Sequence, residues 1–339
     1  MTAVDFSFAS DNSAGAHPRV LEALALANAG TVHAYGDDPA TAQAIARLRE
    51  LVAADAAVQL VATGTAANVL GLAHVLRPWD AVVCADTAHL LNDESTAPAA
   101  YGLTLIGVPT DDGKLRPEHV AHAAAVIGDE HSPQPRAVSI TQTTELGLAY
   151  DVAEVRALAE EAHRHGMLLH VDGARIANAV AGLDVPVGEL LAGVDLVSFG
   201  FTKNGALQAE AIVMPDPALG ERLSYTVKRG MQLVSKGRLL GAQIDALLTG
   251  DLWLDNARHA NAMARRLADG LAGVDGAEVA LPVVGNHVFV RLAPDVHARL
   301  AARYAFHEWQ TRPGRFRLMC SWATAPDEVD ALLGCAAGA

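Results

Sequence analysis

Cysteine is scarce: Cys84, Cys320 and Cys335 are the three in 339 residues, and no two form a C-x-x-C pair. An odd count without paired spacing excludes a disulfide framework and a zinc knuckle, and it suits reduced thiols in a cytosol. No stretch of 18 apolar residues occurs, so no membrane-spanning helix is expected. The first residues, Met1 to Ser7, hold neither a basic leader nor an apolar run with a cleavage site, and the expectation is a mature soluble, cytoplasmic chain. Basic residues are in deficit too: 25 Lys and Arg face 39 Asp and Glu, a net charge of −14. Such a field repels phosphate backbones and anionic lipid heads, which argues against nucleic acid and membrane surfaces as partners.

Apolar residues are abundant instead. They make up 51% of the chain, with a mean hydropathy of +0.20, enough to bury a large core and to exclude intrinsic disorder. The length suits two domains. From about residue 57 to 214 short apolar runs alternate with helical spacing: 58–62, 81–84, 103–108, 137–140, 167–171, 194–199 and 211–214. Near-continuous apolar runs predict strands covered on both faces. The segment from Asp151 to His165 predicts a helix, with Val152, Val155, Leu158, Ala159 and Ala162 spaced by three and four and Gly166 as its stop. The alternation predicts an α/β layer fold with a mostly parallel sheet, whose ligands sit at the carboxyl ends of the strands. Beyond Met214-Pro215-Asp216-Pro217, a Leu- and Ala-rich helical stretch runs to about Leu271; strands are expected at 279–281, 287–292 and 316–320, forming a smaller α/β cap. Gly128 to Pro135 reads as an exposed loop.

Three constellations carry chemistry. In Ala62-Thr63-Gly64-Thr65-Ala66-Ala67-Asn68 a strand gives way to a helix, small residues admit a ligand, and Thr65 is the expected cap. Free amides and the helix dipole there favour a phosphate, although an ordinary capped helix would look the same. In Leu168-Leu169-His170-Val171-Asp172-Gly173-Ala174-Arg175 a carboxylate ends a buried strand; its plainest use is an Asp172–Arg175 ion pair fastening the turn. In Phe199-Gly200-Phe201-Thr202-Lys203-Asn204 a lysine stands at the outlet of the next strand, where lost hydration favours a neutral amine able to form a Schiff base. A phosphate site, an acid and an amine, the last two one strand-helix-strand step apart, are together what pyridoxal 5'-phosphate requires.

Other residues have plainer readings. His89 alone would be taken for a helix cap, His163 and His165 for helix-end caps rather than metal ligands, and Cys320 for core. Arg317, in an apolar strand, needs an anionic partner, either substrate or an internal carboxylate. No metal site is expected.

The ordered series Ala9-Ser10-Asp11-Asn12, Ala34-Tyr35-Gly36-Asp37-Asp38, Gly64-Thr65-Ala66-Ala67-Asn68, Thr87-Ala88-His89 with Asp93-Glu94, Thr144-Glu145-Leu146-Gly147, His170-Val171-Asp172-Gly173-Ala174-Arg175, Thr202-Lys203-Asn204-Gly205, Gln232-Leu233-Val234-Ser235-Lys236 and Arg317-Leu318-Met319-Cys320-Ser321-Trp322 spans nearly the whole chain. It resembles the low-specificity L-threonine aldolases, pyridoxal-phosphate enzymes of the aspartate-aminotransferase fold, fold type I. The resemblance implies a large domain with a mostly parallel seven-stranded sheet between helices (1–245) and a smaller C-terminal α/β domain (246–339). It implies that Lys203 forms the Schiff base with the cofactor, Asp172 pairs with the pyridinium nitrogen, His89 stacks on the ring, and Gly64 and Thr65 hold the phosphate. Ser10, Arg175 and Arg317 match positions that bind the substrate carboxylate or support the cofactor edge, and Tyr35 would be lent across a homodimer or homotetramer interface. The implied reaction is retro-aldol cleavage of L-threonine, L-allo-threonine or a related β-hydroxy-α-amino acid, phenylserine included, to glycine and an aldehyde. His89 is the implied base for the β-hydroxyl. Glu145, where one branch of the family has histidine, contacts that hydroxyl, or the base lies elsewhere. A β-eliminating lyase or aminotransferase on the same fold is the alternative, followed by a protein that only senses or carries the cofactor and by an inert structural domain.

Overall fold

The computed structural model describes residues 4–309 and 313–338. All seven apolar runs of the first two-thirds become strands of one sheet: β1 Ala57–Val61, β2 Asp80–Ala85, β3 Thr104–Val108, β4 Gln134–Thr141, β5 Leu168–Gly173, β6 Leu196–Gly200 and β7 Glu210–Met214. They lie in the order β1-β7-β6-β5-β4-β2-β3. Only β7 runs against its neighbours; β3, β2, β4, β5 and β6 are parallel. Every residue of β2, β6 and β7 is buried, which is why these strands read as unbroken apolar runs.

The predicted helix forms at Val152–Arg164. The Asp151 side chain accepts from the Glu154 amide, the Glu154 side chain accepts from the Asp151 amide, both at 2.8 Å, and Gly166 leaves the helix at φ +67°. The loop expected at 128–135 ends sooner, because β4 begins at Gln134. That side chain fastens the turn before it, accepting from the Gly128 amide at 2.8 Å and donating to the Asp129 carbonyl at 2.7 Å.

A second sheet, antiparallel in the order β10-β11-β9-β8, is built from β8 Ala277–Val279, β9 His287–Leu292, β10 His307–Glu308 and β11 Phe316–Met319. The strand expected at 279–281 starts two residues earlier, where Gly276 at φ +81° turns the chain into it. The 20-residue helix Leu252–Leu271 joins the two layers: Trp253 and Ala257 belong to the large core, Ala264, Leu267 and Leu271 to the second. Phe8 also packs in the second core, and its carbonyl accepts from the Met319 amide at 2.9 Å. This brings the N-terminal segment under β11 and the second sheet over the carboxyl edge of the first.

Trp253 locks that arrangement. Its ring lies 5.7 Å from Phe199, which stacks on Phe201 at 5.0 Å, and all three are fully buried beside the Lys203 turn. Trp253→Ala is expected to cost about 3–5 kcal/mol. Urea unfolding at constant slope measures it, and a loss under 1 kcal/mol would show that this cluster does not anchor the helix.

Candidate active site

The carboxyl ends of β2, β4, β5 and β6 open into a cavity of about 560 Å³, closed from the far side by β9 and β11. Its walls include Ser10, His89, Glu145, Arg175, Lys203 and Arg317, six residues from six separate segments of the chain.

Asp172 is buried at the end of β5, in register with Thr141 and Ser198. It accepts from Asn68 Nδ2 at 2.8 Å and from the Ala174 amide at 3.0 Å. Burial alone would raise its pKa, yet the nearby His89 and Lys203 hold the carboxyl below its ordinary range. The expected ion pair with Arg175 does not form. Arg175 turns instead to Asp11, Nε to Oδ2 at 2.6 Å and Nη2 to Oδ1 at 2.9 Å. The reason is the N-terminal segment: Ser10 caps the short turn Asp11–Ser13 and delivers a fully buried carboxylate to the guanidinium.

Lys203 lies in the turn Thr202–Asn204 directly after β6. Burial and the Arg175 cation depress its pKa, and Asp11, Asp172 and Glu210 offset this only in part. Its amine therefore loses its proton more readily than a solvated lysine's. Glu210, buried on β7, accepts from the Phe201 amide at 2.9 Å, and burial pushes it up to about 7.

His89 is not a capping residue. Ala88 occupies the cap of the four-residue helix His89–Asn92, and the imidazole Nδ1 meets Glu94 Oε1 at 3.0 Å. That hydrogen bond raises its pKa against the opposing effect of burial. The His89 amide donates to Glu145 Oε1 at 2.9 Å, and Thr141 Oγ1 donates to the same oxygen at 2.8 Å. Burial raises the Glu145 pKa, and these donors pull it back. The loop carrying Glu145 closes on β9 because Gly147 sits at φ +76°; a Cβ there would come within 2.7 Å of the His287 Cβ.

At the start of the Gly64–Val75 helix Thr63, not Thr65, is the cap. Thr63 holds extended backbone, φ −140° and ψ 151°, and its hydroxyl oxygen accepts from the Ala66 amide at 3.2 Å; Thr65 is already helical. Among the described residues, the amides of Gly64 and Thr65 meet no acceptor, so two donors remain at the positive end of the helix dipole.

Residues 7–293 match the Beta-eliminating lyase family. Over 327 residues the chain is 41% identical to the low specificity L-threonine aldolase of Pseudomonas aeruginosa, covering 95% of this chain and 94% of that protein. The chain belongs to the low-specificity L-threonine aldolase family. The threonine aldolase structure of Leishmania major superposes with a TM-score of 0.93 at 31% identity, over 98% of both chains. The aspartate aminotransferase of Rhizobium meliloti, at a TM-score of 0.74 and 19% identity, shares the fold. The α/β architecture read from the alternating runs is thus that of fold type I, with its parallel-dominated sheet and small second layer.

For a member of this family, Arg317 is the most telling wall residue. Its Nε has no hydrogen-bond partner, its guanidinium lies 5.6 Å from the Trp309 ring, and no carboxylate pairs with it among the described residues. Burial and the Arg175 cation lower its pKa to about 10. Asp11 is taken by Arg175, so the Arg317 Nε is left without a partner and open to an incoming anion. Beside them His287 is buried with both ring nitrogens unpartnered, and burial keeps its pKa well below the ordinary value.

Tyr35 does not reach the cavity of its own chain. It is 52% exposed, and Lys228 sits over its ring at 5.2 Å. His163 and His165 go to different carboxylates, Asp195 at 2.8 Å and Glu161 at 2.9 Å. All three cysteines are buried, and burial pushes the Cys320 thiol up to about 12. In the sequence, Asn68 and Glu94 belong to the motif series without a role of their own, and His287 is legible only as a strand residue. The buried, orphaned nitrogens that single out His287 are visible only in three dimensions.

Proposed function

We propose that this chain is a pyridoxal-phosphate-dependent aldolase that cleaves L-threonine, L-allo-threonine or related β-hydroxy-α-amino acids to glycine and an aldehyde. The observation that carries this reading is that Lys203, Arg175, His89 and the partnerless Arg317 line one cavity, while Asn68, on the helix whose free amides are those of Gly64 and Thr65, ties Asp172 to the Glu94 partner of His89. These groups fit the cofactor: the orphan amides suit its phosphate, Asp172 its pyridine nitrogen and the Lys203 amine its aldehyde. When bound, pyridoxal phosphate supplies the electron sink for the pair released at the amino acid's α-carbon.

The protein's own groups do the rest. Arg317, with Arg175 beside it, grips the substrate carboxylate and fixes rotation at the α-carbon, so that one bond is aligned for scission. His89 takes the proton from the β-hydroxyl, and Glu145, joined to the His89 amide, borders the same space. The proton removed from oxygen balances the one the glycine carbon regains. Arg317→Ala should raise the KM for L-threonine on the order of tenfold, since a charge-assisted bidentate contact is lost. An unchanged KM would remove Arg317 from the substrate site. Purified protein given L-threonine should release acetaldehyde; ammonia and a keto acid in its place would overturn the aldolase reading in favour of elimination or transamination.

A homodimer or homotetramer is part of this proposal. Large apolar side chains stand bare on the surface: Tyr35 at 52% exposure, Leu26 at 72%, Leu207 at 59% and Met231 at 82%. Burying them against a second copy would cover this apolar surface, and the family resemblance lends Tyr35 across that interface. Sedimentation velocity at micromolar concentration should show no monomer.

A further inference from the structure

We infer that Glu94 is a positioning residue, which fixes the His89 imidazole as its Nδ1–H tautomer and leaves the Nε2 lone pair facing the cavity, with Asn68 tying Glu94 to Asp172. The inference rests on the aldolase reading for its chemical purpose, but not for its geometry.

Glu94 has no solvent-exposed side-chain surface, whereas the His89 side chain is 37% exposed and lines the cavity. Glu94 Oε1 accepts twice, from His89 at 3.0 Å and from Asn68 Nδ2 at 3.0 Å. The same Nδ2 reaches Asp172 Oδ2 at 2.8 Å. With a carboxylate oxygen at each end, only the amide nitrogen of Asn68 can stand between them, so its orientation is fixed by chemistry. By the same logic the His89 nitrogen facing Glu94 must carry the proton. A free imidazole has no such constraint.

This matters for the β-hydroxyl proton. As the Cα–Cβ bond breaks, the O–H pair becomes the second bond of the aldehyde carbonyl and the proton passes to His89 Nε2; the Cα–Cβ pair stays with the glycine carbon. The imidazolium so formed keeps its Nδ1–H on Glu94, which stabilises the new charge, the logic by which a buried acid orients a catalytic histidine elsewhere. The other groups facing His89 are Asp172 from β5, Lys203 after β6 and Glu145 at its backbone amide. Asp172 supports the imidazolium and Lys203 opposes it, so Glu94 is the partner in direct hydrogen-bond contact that favours the protonated ring.

Nitrogen-15 correlation spectra of the histidine rings, with His89 assigned from a His89→Asn variant, test this in the protein without added substrate. Wild type should show His89 as the Nδ1–H tautomer at high pH. In Glu94→Gln the tautomer should shift toward Nε2–H, and the midpoint of ring protonation should fall by about one pH unit. Turnover of L-threonine should fall about 10- to 100-fold, with the acid limb of its pH profile moving the same way and KM little changed. An Nε2–H ring in the wild-type protein overturns the inference without any variant, as does a Glu94→Gln ring unchanged in both tautomer and midpoint. An Nδ1–H ring in a protein that releases no acetaldehyde would sink the aldolase reading and leave the Glu94 contact standing.

Discussion

Lys203→Ala should lower turnover of L-threonine by at least about 1000-fold and leave the protein folded. Both halves follow from its position. Among the described residues Lys203 makes no hydrogen bond that holds the core together; the turn is fastened by Asn204, whose side chain donates to the Trp253 carbonyl at 2.7 Å. Removing a buried amine also removes a desolvation penalty. What disappears is the one amine on the cavity wall whose surroundings favour its neutral, nucleophilic form. Circular dichroism and thermal unfolding should be near wild type, while acetaldehyde release falls to background. Substantial residual turnover would mean that another group serves as the amine.

Asp172→Ala carries the second large effect, an expected loss of about 100- to 1000-fold in kcat, with cofactor still retained through the helix amides. The carboxylate is buried and held by Asn68 and the Ala174 amide, so its orientation is preset. Preorganised charge of this kind acts on the transition state and not merely on binding. The variant should keep some of its colour and lose most of its rate. A fully active Asp172→Ala protein would remove the carboxylate from the chemistry.

Much of this was legible in the chain because strands buried on both faces leave little choice of residue. The seven apolar runs each became a strand, and the three-and-four spacing from Val152 to Ala162, stopped by Gly166, marked a helix that the structure reproduces. Local chemistry was ambiguous where two similar residues flank a glycine: Thr63 and Thr65 both suit a cap, and only the backbone angles distinguish them. Pairings over long separations were not legible. Asn68 joins Glu94 across 26 positions and Asp172 across 104, and Arg175 chooses Asp11 across 164 over the acid three residues away. A strand periodicity says which way His287 faces but not that its nitrogens find no partner there.

The account rests on one covalent claim, that the Lys203 amine is the attachment point of pyridoxal phosphate. Protein incubated with the cofactor, reduced with borohydride and digested should yield one modified peptide, carrying the pyridoxyl phosphate mass on Lys203. Modification spread over surface lysines, or a protein that takes up no cofactor at all, would contradict it.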